Sequence, residues 1–494
     1  MPRSCRGFVA ILNGLAACIV APAVASAEDA PRPNIVVILA DDLGSYDVGW
    51  RGSPIATPRL DRLAKAGARL EAFYVQPVCS PTRAALMTGR YPLRYGLQSG
   101  VVRPWAQYGL PLEERTLPQA LHDVGYETAI VGKWHLGHFR PEYLPTRRGF
   151  DHQYGHYNGA LDYYTHIRDG GFDWHRDDKA CRDEGYSTHL LADEAVRLIE
   201  QRDQAKPLFL YVPFNGVHAP HQVPEKYKAP YADMPEPRRT YAGMVAAVDE
   251  AVGKIDDAID KAGIRDTTLI VFSSDNGGPN PGKLSSNGAL RAGKGTVYEG
   301  GTRTCAFATW PGKIAAGSEV KAPLHIVDLY PTLLKLAGAP LDQPLPIDGR
   351  DAWPSITNGA PSPHDVILLN GRPEGGAIRR GDWKLIVGQA TSGDDEGGEA
   401  APADAPPKAA TKKAAAKKAA REAERVELYN LADDPRESKN LADAQPERVR
   451  ELRAAYEAIL KPSVPPRNRP KPADFRSPAV WGEAEAQARP EGTR

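Results

Sequence analysis

The sequence predicts an α/β protein with a large, mostly parallel central sheet flanked by helices, and a small C-terminal antiparallel sheet plus helix. Three observations carry this. Between residue 34 and about residue 336, continuous apolar runs alternate with amphipathic segments, the pattern of βα units. The runs lack the polar alternation of a half-exposed strand, so both faces of the sheet should be covered. At 494 residues, 41% apolar and 25% charged, the chain exceeds what one core fills, since cores stop growing near about 250–300 residues. A smaller second unit is therefore expected.

The elements follow in order. Residues 1–27 read as an export signal: Arg3 and Arg6 precede an apolar run from Phe8 to Val24, and Ala25-Ser26-Ala27 offers a cleavage site. Asn13, Gly14 and Pro22 interrupt the run, which falls short of the about 20 clean apolar residues of a membrane span. Leu15-Ala16-Ala17-Cys18 would also suit lipoprotein processing at Cys18, but the apolar stretch continues past it. The expected destination is the periplasm or the extracellular space, with no transmembrane segment. Export leaves Cys79, Cys181 and Cys305 in an oxidising compartment, an odd number, and whether Cys181 and Cys305 pair is left open.

Residues 28–350 form the main domain. Its central strands are expected at 35–39, 128–131, 208–212 and 269–272, and its clearest helix at 241–262, where Met244, Val248, Val252, Ile255 and Ile259 recur at helical steps and Gly263 ends the run. Residues 351–461 change character, with short strands at 366–369, 383–387 and 426–428 and a helix after Ala444. Within them, 389–423 is a low-complexity insertion carrying Lys412-Lys413 and Lys417-Lys418; it reads as a solvated loop, with a tether for polyanions as the sharper alternative. Residues 462–494 form a Pro-rich tail expected at the surface. Sixty-two basic residues balance sixty-two acidic ones, so no global field favours nucleic acid or an anionic membrane, and a charged substrate must be held locally.

In open α/β sheets ligands bind beyond the carboxyl ends of the strands. The first run leads to Asp41-Asp42, the second to Lys133-Trp134-His135, the third to His218 and the fourth to Asp275-Asn276. Adjacent acids alone usually cap a helix or make a turn. From two strand ends together they supply the hard oxygens that Ca²⁺ or Mg²⁺ requires, and no matching His/Cys set points to zinc. The most specific segment is Cys79-Ser80-Pro81-Thr82-Arg83, followed by Thr88-Gly89-Arg90. A helix opened by Pro81 would put Cys79 at its positive end, with Arg83 returning near it, and such a Cys should tend towards thiolate. A buried structural Cys is the plain alternative.

Cys-x-Pro-x-Arg followed by Thr-Gly resembles the motif of type I sulfatases, within the alkaline phosphatase superfamily, and so do the blocks at 34–42, 132–137, 274–278 and 293–301. More narrowly, residues 144–151, 222–227 and 241–244 are similar to the arylsulfatase B branch, the N-acetylgalactosamine-4-sulfatases. The resemblance implies an alkaline-phosphatase-like catalytic domain and a Cys79 converted to formylglycine by a separate formylglycine-generating enzyme, the aldehyde hydrating to a gem-diol. It implies one divalent ion, Ca²⁺ or alternatively Mg²⁺, held by Asp41, Asp42, Asp275, Asn276 and the modified Cys79. Arg83 would stabilise the ionised diol, and Lys133 and Lys294 would hold the sulfate oxygens, Arg291 being the alternative to Lys294. His218 would protonate the departing alcohol oxygen. His135 would take a proton from the second diol hydroxyl, so that sulfate leaves and the aldehyde returns. His221 is a candidate sugar contact, and Tyr154, His156, Tyr157, Asp162 and His166 form a polar aromatic stretch of open role. The implied activity is a sulfuric ester hydrolase acting on sulfated saccharides or aryl sulfates. The alternatives are a phosphonate monoester or phosphodiester hydrolase of the same superfamily, and a non-catalytic sulfated-glycan-binding protein.

Overall fold

All four apolar runs become adjacent parallel strands in the computed structural model of the chain, which describes residues 1–2, 32–391 and 425–483. The export-signal reading, most of the lysine-bearing insertion and the last residues of the tail lie outside the described residues. The elements that position the site are β1 (Asn34–Ala40), α1 (Cys79–Thr88), β2 (Glu127–Lys133), β3 (Leu208–Pro213), α2 (Arg238–Lys261) and β4 (Thr268–Ser274). They belong to a ten-stranded sheet with the central order β4-β1-β3-β2. His152–His156 continues the parallel set beyond β2, whereas Ala306–Thr309 pairs antiparallel with β4.

Every residue of β1 is buried, and its side chains divide between two cores. Ile35, Val37 and Leu39 face one, together with Leu269 and Val271 of β4 and the apolar residues of α1. Val36, Ile38 and Ala40 face the other, with Ile270, Phe272 and the stripe of α2. A sheet covered on both faces explains why the strands read as unbroken apolar runs. β2 and β4 are longer than the expected segments because their ends are polar: β2 runs on through Gly132-Lys133 and β4 through Ser273-Ser274.

Register then places the chemistry. Ala40 of β1 pairs with Ser274 of β4, and the Asp275 amide donates to the Ala40 carbonyl at 3.1 Å, so Asp41 and Asp275 leave the sheet side by side. On the other flank the Phe214 amide donates to the Leu39 carbonyl at 2.9 Å, which carries β3 towards His218 at the same level.

Two helices differ from expectation. The long helix starts at Arg238 rather than Tyr241, and Gly263 (φ +68°) ends it as expected. The Cys79 helix starts at Cys79 itself rather than at Pro81. Proline is tolerated as its third residue because the amides of a first turn have no intrahelical acceptor.

The C-terminal sheet has four antiparallel strands, Ile367–Arg372, Gly375–Arg380, Trp383–Gly388 and Val426–Asn430, with the helix Pro446–Leu460 against them. A buried ionic knot joins this sheet to the main body. Lys384 Nζ lies 2.9 Å from Glu299 Oε1 and 2.8 Å from Glu437 Oε1, all three side chains are fully buried, and Tyr74 donates to Glu299 at 2.8 Å. Removing the cation strands two carboxylates away from water. Lys384→Met should cost about 3–5 kcal/mol of stability, read as a fall in the urea midpoint.

The Pro-rich tail is more than a surface segment. Its first half is exposed, but the Val464 and Arg467 amides donate to the carbonyls of Leu93 and Gly96, and further along Trp481 is 2% exposed and its indole donates to the Arg168 carbonyl at 2.9 Å. Cys79, Cys181 and Cys305 are all free thiols, so Cys181 and Cys305 do not pair. Among the described residues no helix is long and apolar enough to cross a membrane.

Candidate active site

Beyond the carboxyl ends of β1 and β4 lies a buried cluster of three carboxylates and three cations. Lys133 Nζ sits 2.6 Å from Asp41 Oδ2, Lys294 Nζ 2.9 Å from Asp42 Oδ2, and Arg83 clasps Asp275 Oδ2 through Nε at 3.1 Å and a terminal nitrogen at 2.7 Å. The formal charges cancel. Cys79 projects into this cluster from the first turn of α1, its Sγ 3.5 Å from Asp41 Oδ1 and 3.4 Å from Asn276 Oδ1. Asn276 turns its amide nitrogen to Asp42 Oδ1 at 2.7 Å. His218 Nε2 stands 3.6 Å from Asp42 Oδ2.

Local structure aims these groups. Asp42 and His135 adopt φ of +65° and +58°, backbone that non-glycine residues rarely take, and both lie at the cluster, where such strain is characteristically stored. Tyr241, on α2, donates to the Asp42 carbonyl at 3.1 Å and accepts from the Gly44 amide at 2.9 Å, which pins the Asp42 turn. Ser80 donates to the His135 carbonyl at 2.9 Å and accepts from the Val102 amide at 3.0 Å, so α1, the end of β2 and the following loop are tied together. His135 Nε2 lies 3.1 Å from the Val102 carbonyl. Sequence reasoning missed Tyr241 and Ser80: an aromatic at the start of an amphipathic helix reads as core, and a serine beside a conspicuous cysteine carries no signal of its own.

Burial and charge set the protonation states. Burial, reinforced by Asp275, pushes Asp41 up to about 7 against the pull of Lys133 and Arg83. Burial also raises Asp42, but Lys294 and His218 more than offset it and hold that carboxyl well below its ordinary value. Burial, with Lys133 and Arg83 adding to it, drives His135 well below the ordinary imidazole range, so it is neutral near pH 7. The expected thiolate is not found. Burial and the facing carboxylate of Asp275 push the Cys79 thiol well above its ordinary pKa despite Lys133 and Lys294. An argument from the helix end alone neglects both desolvation and the carboxylates.

Other sequence candidates are placed as well. Arg291 points away from the cluster, donating to Tyr429 Oη at 2.8 Å and to the Glu437 carbonyl at 2.9 Å, which leaves Lys294 as the cation of that loop at Asp42. His221 packs 6.4 Å from the ring of Tyr241. Tyr154, His156, Tyr157 and His166 are buried scaffold rather than an open platform, with His166 stacked on Trp174 at 4.3 Å. Asp162 accepts from Gln222 at 2.7 Å.

The donor set fits a hard divalent cation. Ligand atoms of Asp41, Asp42, Cys79 and His218 all lie within 4.8 Å of one another, the Asn276 oxygen is 3.4 Å from the Cys79 sulfur, and Asp275 Oδ1 accepts from the Asp42 backbone amide at 3.3 Å. Carboxylate and amide oxygens dominate, the chemistry of Ca²⁺ or Mg²⁺.

A mostly parallel α/β sheet that gathers buried carboxylates and fixed lysines at its carboxyl edge suits the handling of oxyanion esters. Comparison with known proteins makes the class specific. The Sulfatase family model matches residues 33–339. Arylsulfatase J of Mus musculus is 37% identical over 91% of this chain and 80% of its own. Arylsulfatase A of Homo sapiens is 36% identical over 68% of this chain and 70% of its own. The crystal structure of Ps i-CgsB in complex with k-i-k-neocarrahexaose superposes with a TM-score of 0.76 at 31% identity, covering 88% of this chain and 94% of that one. The chain belongs to the sulfatase family, and it is a sulfuric ester hydrolase. A phosphonate monoester hydrolase of Agrobacterium radiobacter shares the fold, with a TM-score of 0.60 over 87% of this chain and 95% of that one, at only 20% identity.

Proposed function

We propose that this sulfatase removes sulfate from sulfated saccharides, accepts small aryl sulfates as surrogates, and works with a Cys79 matured to formylglycine by a separate enzyme and with one divalent cation, Ca²⁺ or Mg²⁺, held by Asp41, Asp42, Asp275 and Asn276. The observation that carries this is the position of Cys79 Sγ, 3.4–3.5 Å from oxygens of Asp41 and Asn276. When present, the hydrated aldehyde and the cation together supply an oriented hydroxyl of lowered pKa. The encoded thiol offers no equivalent, because burial keeps it protonated.

The remaining work belongs to the chain's own residues. Lys133 and Lys294, both buried at the cluster, would meet the sulfate oxygens, where fixed cations shielded from solvent stabilise developing charge most strongly. Arg83, anchored by Asp275 and donating to the Lys133 carbonyl at 3.0 Å, holds the cluster's geometry and faces the nucleophile. His218 gives a proton to the departing alcohol oxygen, and neutral His135 can take one. In sum, water divides the ester into sulfate and an alcohol. His218→Ala should lower kcat/KM about 10²–10⁴-fold on a saccharide sulfate but much less on 4-nitrophenyl sulfate, whose leaving group needs no proton.

The saccharide assignment draws on relatives named N-acetylgalactosamine-6-sulfatase, 36% identical in Mus musculus over 70% of each chain, and on the blocks similar to the N-acetylgalactosamine-4-sulfatases. Export through residues 1–27 belongs to the same reading. Turnover of one aryl leaving group as a sulfate monoester and as a phosphate diester separates the sulfatase from its phosphonate-hydrolase rival: sulfate should be the better substrate, and a preference for the diester would overturn the assignment.

A further inference from the structure

The catalytic cluster accounts for one sulfate ester. It leaves unexplained a second cleft that the C-terminal tail builds against the loop following Val102. The loop following Val102, the residue bonded to both Ser80 and the His135 region, runs on through Arg103, Trp105 and Tyr108. Three residues of chain span at most about 11 Å, so Trp105 stands close to the catalytic loop. Against it lies the tail: the Arg467 amide and Nε donate to the carbonyls of Gly96 and Tyr95, and the Trp105 indole donates to the Arg469 carbonyl at 3.2 Å. Between them is a cleft of about 310 Å³ lined by Trp105, Tyr108, Arg467 and Arg469, at the lower end of the roughly 300–1,000 Å³ of small-ligand sites.

Its chemistry is cationic and aromatic together. Lys471 Nζ lies 5.6 Å from the ring of Trp105, and the Arg103 guanidinium is 5.9 Å from the same ring. Side-chain bonds of Arg467 and Arg469 go to backbone carbonyls, and Lys471 lies over rings, so their charges stay available to an anion. Arg469 and Lys471 are exposed, yet the tail is anchored beyond them by Phe475, stacked on the buried Trp481. A half-buried indole beside Lys471, Arg467 and Arg469, which form no ion pair with a carboxylate among the described residues, fits the apolar face of a sugar ring that carries its own anion.

We propose that this cleft binds a second anionic sugar of the same sulfated oligosaccharide, so that the enzyme prefers oligosaccharide chains over isolated sulfated monosaccharides. This rests on the saccharide sulfatase reading above. The test compares the protein with Arg469→Glu/Lys471→Glu and, separately, Trp105→Ala, on 4-nitrophenyl sulfate and on chondroitin sulfate and iota-carrageenan tetrasaccharides. The ratio of kcat/KM for a tetrasaccharide to that for the aryl sulfate should fall about tenfold in each variant, through KM, corresponding to about 1.4 kcal/mol. In parallel, calorimetry on Cys79→Ala protein measures tetrasaccharide binding without turnover, and the charge reversal should weaken it similarly. Unchanged ratios and affinities, or no tetrasaccharide binding at all, would overturn the cleft assignment. Tetrasaccharide binding that depends on the cleft, in protein that hydrolyses no sulfate ester, would instead sink the saccharide sulfatase reading and leave the cleft standing.

Discussion

Cys79→Ser and Cys79→Ala are expected to abolish steady-state sulfate ester hydrolysis, by at least about 10⁴-fold, the scale on which losing a nucleophile acts. Both keep the helix that starts at residue 79, and serine nearly conserves the side-chain volume, so far-UV circular dichroism and the thermal midpoint should barely move. The two variants should also differ from each other. A serine hydroxyl at this position can accept a sulfate group but has no second hydroxyl on the same carbon with which to expel it, so Cys79→Ser should accumulate a sulfated protein that intact mass measurement detects. Alanine should not. A Cys79→Ser enzyme with ordinary turnover would mean that the side chain at 79 does not carry the reaction.

Removing the cation should be nearly as damaging. Lys133 and Lys294 pair with Asp41 and Asp42, the carboxylates that a divalent ion would neutralise. Chelation therefore leaves the lysines committed to carboxylates rather than available to sulfate, and kcat/KM should fall at least about 10³-fold. Ca²⁺ or Mg²⁺ should restore it. A second readout is independent of activity: a cation at 100 times its Kd raises stability by about 2.7 kcal/mol, visible as a higher thermal midpoint that Asp42→Ala eliminates. The pH dependence has a definite sign. Asp41 is raised to about 7 by burial and Asp275, and a coordinating carboxylate must be ionised. Protons therefore compete with the metal below about pH 7, and cation affinity should climb with pH up to that point and then level off. Full activity in protein shown to be metal-free would contradict this.

Much of this architecture was legible in the sequence for one physical reason. Strands covered on both faces are apolar throughout, so β1, β2, β3 and β4 were visible as runs, and the residues after them had to be the ones at the carboxyl edge. Where polarity enters, legibility fades. Strand ends such as Gly132-Lys133 were cut short, and Gly375–Arg380 was not anticipated because its glycines and arginines break the apolar pattern, although cross-strand bonds hold it in the C-terminal sheet. The tail looked like surface because of its prolines, while backbone bonds from Val464 and Arg467 and the buried Trp481 anchor it. Cys79 shows the limit most clearly. Its place beside the acids was readable from motif and register, but its protonation depends on complete burial and on the carboxylate of Asp275, 196 positions away in the chain.

The most direct measurement is peptide mass spectrometry of residue 79 in enzyme purified active, with the specific activity of the same sample. The peptide spanning Val78 to Arg83 should carry an aldehyde in place of the thiol, in a fraction that rises in step with activity. Fully active enzyme whose residue 79 is an unmodified cysteine would contradict the proposed chemistry.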